Sequence, residues 1–224
     1  MVGLRSLLCD SFVYSFSSRK KLLFLGLLLV GSVFILPFIL VSGYFLRIME
    51  SSFNGSNELP PFDNWLKMFM DGLKYLMVSI VYFGVPVLVA IFLMLTVLPE
   101  GMCVNHSLMI FGCITLVLMI LPYFLMYITL PHMVYNKMRL RKAFDFRNLS
   151  KIIKKIGILK YTTAIMLITI LYSIELLFTL YLNCLPLEKT IISIINTILQ
   201  LTVSAYLFIF TARLLSNLYP KNNP

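Results

Sequence analysis

Five stretches of this chain each run for more than about 20 residues, the length that crosses a bilayer core as helix, with almost no charge. They cover residues 22–46, 75–99, 101–136, 161–187 and 191–212, and only the fourth contains a charged side chain, Glu175. Apolar residues make up 60% of the 224-residue chain and charged ones 12%, with a mean hydropathy of +0.93. A soluble domain carries about 25% charge because its surface faces water. The solvent for most of this chain is therefore lipid. The stretches are continuously apolar rather than alternating, which excludes a β-barrel. The fold class expected is all-α: a polytopic helical bundle of four to five spans plus interfacial amphipathic helices, in one membrane domain.

Within that domain, residues 1–21 are expected at the interface, with spans over 22–46, 75–99, 107–135, 161–182 and 190–213. The first apolar run is longer than the roughly 7–15 residues of a signal-peptide core and ends in Gly43-Tyr44-Phe45-Leu46-Arg47, a stop-like boundary. It is read as retained. Pro37, Pro86 and Pro122 lie inside spans and are expected to kink them, which neighbouring helices tolerate in lipid.

Two further segments are read as lying flat. In residues 62–75, Phe62, Trp65, Leu66, Phe69 and Leu73 recur at helical spacing opposite Asn64, Lys67, Asp71 and Lys74. Asp63 is the expected N-cap, and Trp65, the single tryptophan, with Phe62 and Phe69 is the expected interfacial anchor. In residues 136–160 the cations Lys137, Arg139, Arg141, Lys142, Arg147, Lys151, Lys154, Lys155 and Lys160 face one acid, Asp145. Leu149, Ile152, Ile153, Ile156 and Leu159 form its apolar stripe. The cluster Arg139, Arg141, Lys142, Arg147, Lys151, Lys154 and Lys155 is expected to contact anionic headgroups, each cation contributing about 1 kcal/mol. Only Phe144 and Phe146 are available to stack on bases, so nucleic acid is not the expected partner.

The net charge of +10 creates a conflict. The positive-inside rule places the basic loop and the C-terminus in the cytoplasm of a multi-pass plasma-membrane protein. A first run that crosses then puts Arg5, Arg19, Lys20 and Lys21 outside. Either that run re-enters, turning back near Pro37, or one basic cluster lies on the wrong side. A faint repeat favours re-entry: Tyr14-Ser15-Phe16 followed by Arg19-Lys20-Lys21 parallels Phe144-Asp145-Phe146-Arg147 followed by Lys154-Lys155.

Gly43-Tyr44-Phe45-Leu46-Arg47, then Glu58-Leu59-Pro60-Pro61-Phe62-Asp63-Asn64-Trp65, then Phe69-Met70-Asp71-Gly72-Leu73-Lys74 form distinctive blocks. With Tyr14-Ser15-Phe16 and Ala143-Phe144-Asp145-Phe146-Arg147, they resemble a prokaryotic, largely archaeal, membrane family known as domain of unknown function 4013. Ser15 stands where that family usually has proline. The resemblance implies a polytopic helical protein and importance of the Gly-Tyr and Pro-Phe-Asp-x-Trp blocks for the shared fold; it implies no activity.

Catalytic signatures are sparse. The two histidines, His106 and His132, are in no His-Glu-x-x-His arrangement, there is no Gly-x-Ser-x-Gly elbow, and no phosphate-binding Gly-x-x-x-x-Gly-Lys loop. No metal site or cofactor is expected from the spacing of Cys9, Cys103, Cys113 and Cys184. Cys103 and Cys184 are placed on one face where a disulfide is an option, with free thiols the preferred reading. Glu175 must face protein or water, or be protonated. A level hairpin of the last two spans aligns it with Asn196 and Thr197, in a polar cluster with Gln200 and Ser204, and predicts a hydrogen bond to Asn196 or Gln200. A polar clamp between helices is the preferred reading and a proton or cation site the alternative. Three functional classes follow: a non-enzymatic scaffold, regulatory or assembly subunit, with a membrane-protein partner or a second copy; a small transporter or channel subunit using Glu175; and a lipid-handling enzyme.

Overall fold

The computed structural model describes residues 4–97, 104–186 and 188–220. Among them the regular structure is helical throughout. The chain runs through α1 (Leu4–Ser15), α2 (Arg19–Val30), a 3-10 turn (Gly31–Val33), α3 (Ile35–Phe53), α4 (Trp65–Ser79), a π turn (Ile80–Gly84) and α5 (Val85–Val97). It continues through α6 (Val104–Tyr135), α7 (Leu140–Ala143), α8 (Phe146–Ile156), α9 (Ile158–Cys184), α10 (Lys189–Leu199), a second π turn (Gln200–Ser204) and α11 (Ala205–Leu218). Five helical runs are long and apolar enough to cross a membrane: Ile35–Phe53, Trp65–Leu93, Met109–Tyr135, Ile158–Cys184 and Lys189–Leu218.

Residues 22–46 do not form one helix. After Val30 the backbone tightens, Phe34 becomes extended (φ −88°, ψ 143°), and α3 begins just ahead of Pro37. Proline suits a helix's first turn, where its missing N–H costs nothing. The break makes α2 and α3 a hairpin. Its ends meet: the Lys21 ammonium donates to the Leu59 carbonyl beyond α3, and Phe24 packs edge-on against Phe62 at 4.6 Å. From Arg19 to the tip, and from the tip back to Arg47, each arm is about 18 Å at 1.5 Å per residue. A bilayer core is about 30 Å thick.

The other helix ends sort around this hairpin. Tyr14 donates to the Glu58 carbonyl (3.0 Å), Arg213 pairs with Asp10 (2.9 Å), and His132 Nδ1 lies 2.8 Å from the Tyr219 hydroxyl. Phe53 packs on both Tyr135 and Tyr219. The ends of α1, α3, α6 and α11 and the start of α4 therefore share one end of the molecule, from which α7, α8 and the start of α9 continue. Among the described residues, Lys189 alone of the lysines and arginines lies at the opposite end.

Residues 62–75 are not a separate interfacial helix. Phe62 belongs to the preceding loop, stacked on Tyr44 at 4.0 Å, and Trp65 begins α4, which runs on into α5 as one long rod. Met68, Asp71 and Gly72 are buried against α3, so of the face expected in water Asp71 is held by protein, Lys74 is half-buried, and Asn64 and Lys67 stay exposed. Nor is Asp63 the cap: Asn64 takes that position in the left-handed conformation (φ 46°) without a side-chain cap bond. The Asp63 carboxylate instead receives Arg47 at 2.9 Å, an arginine that also donates to the Pro61 and Asp63 carbonyls. Lys74 rather than Lys67 pairs with Asp71 (2.8 Å), and Lys67 lies 3.8 Å from Glu50.

Prolines act differently in each helix. Pro86 has no N–H for the Tyr82 carbonyl, and the ladder widens into a π turn just before it. Helix α6 runs through Pro122 and Pro131. The second π turn presents Leu201 to α2, where only glycine fits: a Cβ on Gly26 would stand 2.3 Å from the Leu201 carbonyl oxygen.

Helix α3 crosses α4 at two glycines. A Cβ on Gly43 would stand 1.9 Å from the Met68 carbonyl oxygen, and one on Gly72 1.9 Å from that of Ile39. Such backbone contact drives helix association where lipid removes the hydrophobic incentive. Gly43→Ala is expected to cost about 3 kcal/mol by overpacking and to lower the thermal midpoint in detergent. Gly112→Ala, with nothing within 4 Å, gains helix propensity of up to about 1 kcal/mol and should leave the midpoint unchanged or higher. Equal midpoints for the two variants would contradict this packing.

Candidate functional site

A chamber of about 550 Å³ opens between α3, α4, α6, α9 and α11. Phe38, Phe45, Phe83 and Phe208 supply apolar walls, while Tyr75, Tyr123, Tyr127 and Tyr172 bring hydroxyls into the same space. Tyr123 and Tyr127 are four apart on α6 and so share a face; Tyr127 donates to the Tyr123 hydroxyl at 3.1 Å, and Tyr123 in turn lies 2.9 Å from the Thr169 hydroxyl on α9. The chamber is apolar with a few placed hydroxyls, the usual character of a small-molecule site.

Beside it, the first π turn, α6 and α9 leave a second cavity of about 500 Å³, lined among others by Phe83, Leu116, Ile120, Tyr123 and Ile170. Leu116 is 71% exposed, and Ile120 and Ile170 are also open to the exterior. Phe83 and Tyr123 line both cavities. An outward-facing groove and an inner chamber thus meet at two aromatic rings. Sequence reasoning passed over these tyrosines; the one signal available was the i, i+4 pair Tyr123 and Tyr127 in an otherwise apolar span.

The polar cluster around Glu175 forms only in part. The Ser204 hydroxyl donates to the Glu175 carboxylate, placed there by the π turn that ends at Ser204. Asn196 and Gln200 are not the partners. Thr197 bonds to the Ser193 carbonyl of its own helix, Gln200 is exposed, and the buried Asn196 Oδ1 has no hydrogen-bond partner among the described residues. The expected alignment assumed two helices level at their shared loop. They are offset along their axes, so Glu175 meets a residue deeper in the second.

The basic segment folds into α7 and α8. Leu149 and Ile152 are buried under α8 against the bundle, so part of the stripe expected to face lipid serves the protein core; Leu159 falls instead at the start of α9 and is 84% exposed. Arg139, Arg141, Arg147, Lys151, Lys154 and Lys155 are exposed and Lys142 is half-buried. The Tyr82 hydroxyl ties the segment down, donating to the Ala143 carbonyl at 2.9 Å and lying 2.8 Å from the Thr129 hydroxyl. Of the three expected anchors, Trp65 is exposed, Phe69 is half-buried and Phe62 is packed between Tyr44 and Phe24.

Arg213, read from sequence only as the end of a span, is instead buried at a junction. It pairs with Asp10, donates to the Ser56 carbonyl (2.8 Å) and Asn57 (3.2 Å), and lies 4.3 Å over the Tyr14 ring. Cys9, Cys113 and Cys184 are free thiols; Cys103, its proposed disulfide with Cys184, and Glu100 lie outside the described residues. Among the described residues, no group of three or more His, Cys, Asp or Glu side chains stands together as a metal site would require.

Asp145 caps α8, accepting hydrogen bonds from the Asn148 backbone N–H and side-chain amide. Desolvation alone would raise its pKa; these hydrogen bonds and the Lys142 charge outweigh it and hold the carboxyl below the usual range. The capping contribution is therefore complete above the ordinary carboxylate value of about 4 and declines as pH falls below it. Asp145→Ala should speed hydrogen exchange at the first turn of α8 at neutral pH. Asp145→Asn, which still accepts, should not, and its exchange should be the less sensitive to acid. Identical exchange in Asp145→Ala and the parent chain would contradict the cap.

Comparison with curated proteins and with solved structures returns no match. Residues 24–184 match the family described as "Protein of unknown function (DUF4013)", a stretch that covers most of the hairpin, the Gly43–Gly72 crossing, the α6 and α9 walls of both cavities and the basic segment. The chain belongs to that family.

Proposed function

We propose that the protein is a multi-pass plasma-membrane protein that takes an amphipathic, lipid-like molecule from the bilayer into the tyrosine-lined chamber. In this reading the end that gathers the basic residues faces the cytoplasm, as the positive-inside rule requires. The α2–α3 hairpin enters from that side and returns to it. One observation carries the functional reading: the exposed groove and the inner chamber share Phe83 and Tyr123. Acyl chain suits the phenylalanine walls, and the tyrosine hydroxyls offer hydrogen bonds to an ester or hydroxyl group.

The proposed role is binding and presentation rather than chemistry. Among the described residues that line the chamber, none is a carboxylate, an imidazole, an amine or a thiol. Glu175, bonded to Ser204, is treated as a clamp between α9 and the second π turn. The exposed cations of α7 and α8 are assigned to the anionic inner leaflet.

The test uses delipidated protein in short-chain detergent, titrated with dioleoyl phosphatidylglycerol and followed by native mass spectrometry. Ser79 lines the chamber, and Ser79→Phe fills part of it. The parent chain should retain one lipid at detergent levels that strip the rest, and Ser79→Phe should weaken that lipid at least about tenfold, or 1.4 kcal/mol. Equal retention by a correctly folded Ser79→Phe would contradict the reading.

A further inference from the structure

A third cavity, about 300 Å³ and mainly polar, lies at the basic end between the last turn of α6, one flank of α8 and Tyr219. Its lining includes Lys142, Lys151, Asn136, Asn148, His132 and Tyr219. We propose that it binds a phosphate group, carried by an anionic lipid headgroup or by a soluble phosphate.

The cations are arranged unequally around α8. Arg139, Arg141, Arg147, Lys154 and Lys155 line none of this cavity, whereas Lys142 and Lys151 both do. One acid is near: the Asp145 carboxylate lies 3.8 Å from the Lys142 ammonium and is itself occupied in capping α8. The cavity therefore keeps a net positive character, with Lys151 supplying the charge that no acid within salt-bridge distance among the described residues offsets.

His132 adds a second, independent sign. Its side chain is 95% buried, the complement of its 5% exposure, and its Nδ1 lies 2.8 Å from the Tyr219 hydroxyl. The buried Nε2 has no hydrogen-bond partner among the described residues. A buried polar atom left unpaired costs about 1–3 kcal/mol. Asn136 Nδ2 also lies 3.4 Å from Nδ1, and in the tautomer in which Nδ1 accepts, Nε2 carries the proton and lacks an acceptor. A phosphate oxygen is such an acceptor, reached when the His132 ring turns its buried Nε2 toward the cavity that the residue lines. Phosphate offers three oxygens to lysine, amide and imidazole donors together, and charge-assisted bonds of this kind are about twice as strong as neutral ones. The occupied cavity would pin α8 to the ends of α6 and α11.

The site is separate from the chamber, so the two readings fail separately: Ser79→Phe should leave phosphate binding unchanged. The test follows the thermal unfolding midpoint of the full chain in nonionic detergent with inorganic phosphate, against sodium chloride at equal ionic strength. A parallel arm compares nanodiscs of phosphatidylglycerol with the same titrations. Lys151→Gln should weaken stabilisation at least tenfold in whichever arm shows it, and Lys154→Gln, on the outer face, should change it less than twofold. His132→Gln, which keeps a donor, should retain more affinity than His132→Leu. Stabilisation by inorganic phosphate identifies a soluble phosphate as sufficient, and stabilisation by phosphatidylglycerol alone identifies the headgroup. Equal loss in Lys151→Gln and Lys154→Gln marks diffuse charge attraction and overturns the site, as does a midpoint that moves in neither arm.

Discussion

The architecture rests on the contact of α3 with α4 at Gly43 and Gly72. In lipid, apolar side chains gain little by leaving the solvent, so helices associate through close packing and polar bonds. Both glycines bring one backbone onto a carbonyl of the other helix at a distance no side chain permits. Around that crossing, Tyr44 donates to the Pro60 carbonyl at 3.0 Å and Arg47 binds the Pro61 and Asp63 carbonyls. Three carbonyls of the loop between the two helices, those of Pro60, Pro61 and Asp63, thereby gain partners. Three of the blocks that carry the family resemblance, those beginning at Gly43, Glu58 and Phe69, supply most of these contacts.

Charge placement follows from the hairpin. Because α2 rises and α3 returns, Arg19, Lys20 and Lys21 end beside the loop that follows α3, not across the molecule from the basic helix. Arg213 and Asp10 then join the first helix to the last, with Tyr14 between them and the loop. The two ends differ accordingly: interlocked helix ends, ion pairs and aromatic contacts gather at the basic end, and beyond it α5 packs on α6 while α9 stands apart from both. Both cavities assigned to lipid lie where α9 stands away from α6 and the first π turn.

Much of this was legible in the sequence because length and charge are one-dimensional signals. The long apolar runs mark the spans, and the lysine-dense segment marks α7 and α8. Side-chain partners are not one-dimensional. The amphipathic pattern of residues 62–75 is genuine, but Asp71 of its polar face is buried against α3 while Leu66 of its apolar face is exposed, and a period alone does not distinguish protein from solvent. Glu175 found Ser204 instead of Asn196 because a π turn and an axial offset shifted the facing residues. The chamber escaped notice because its tyrosines come from three helices and read singly as ordinary apolar residues.

The central claim is that the first apolar segment turns back, leaving the N-terminal helix on the same side as the basic helix. In a chain with Cys9, Cys103, Cys113 and Cys184 replaced by serine, single cysteines at Ser17→Cys and Ser150→Cys can be probed in intact cells with a membrane-impermeant maleimide. Both should stay unlabelled until the membrane is permeabilised and then label together. Labelling of the Ser17→Cys chain from outside, with the Ser150→Cys chain protected, would mean that the segment crosses and the hairpin is wrong.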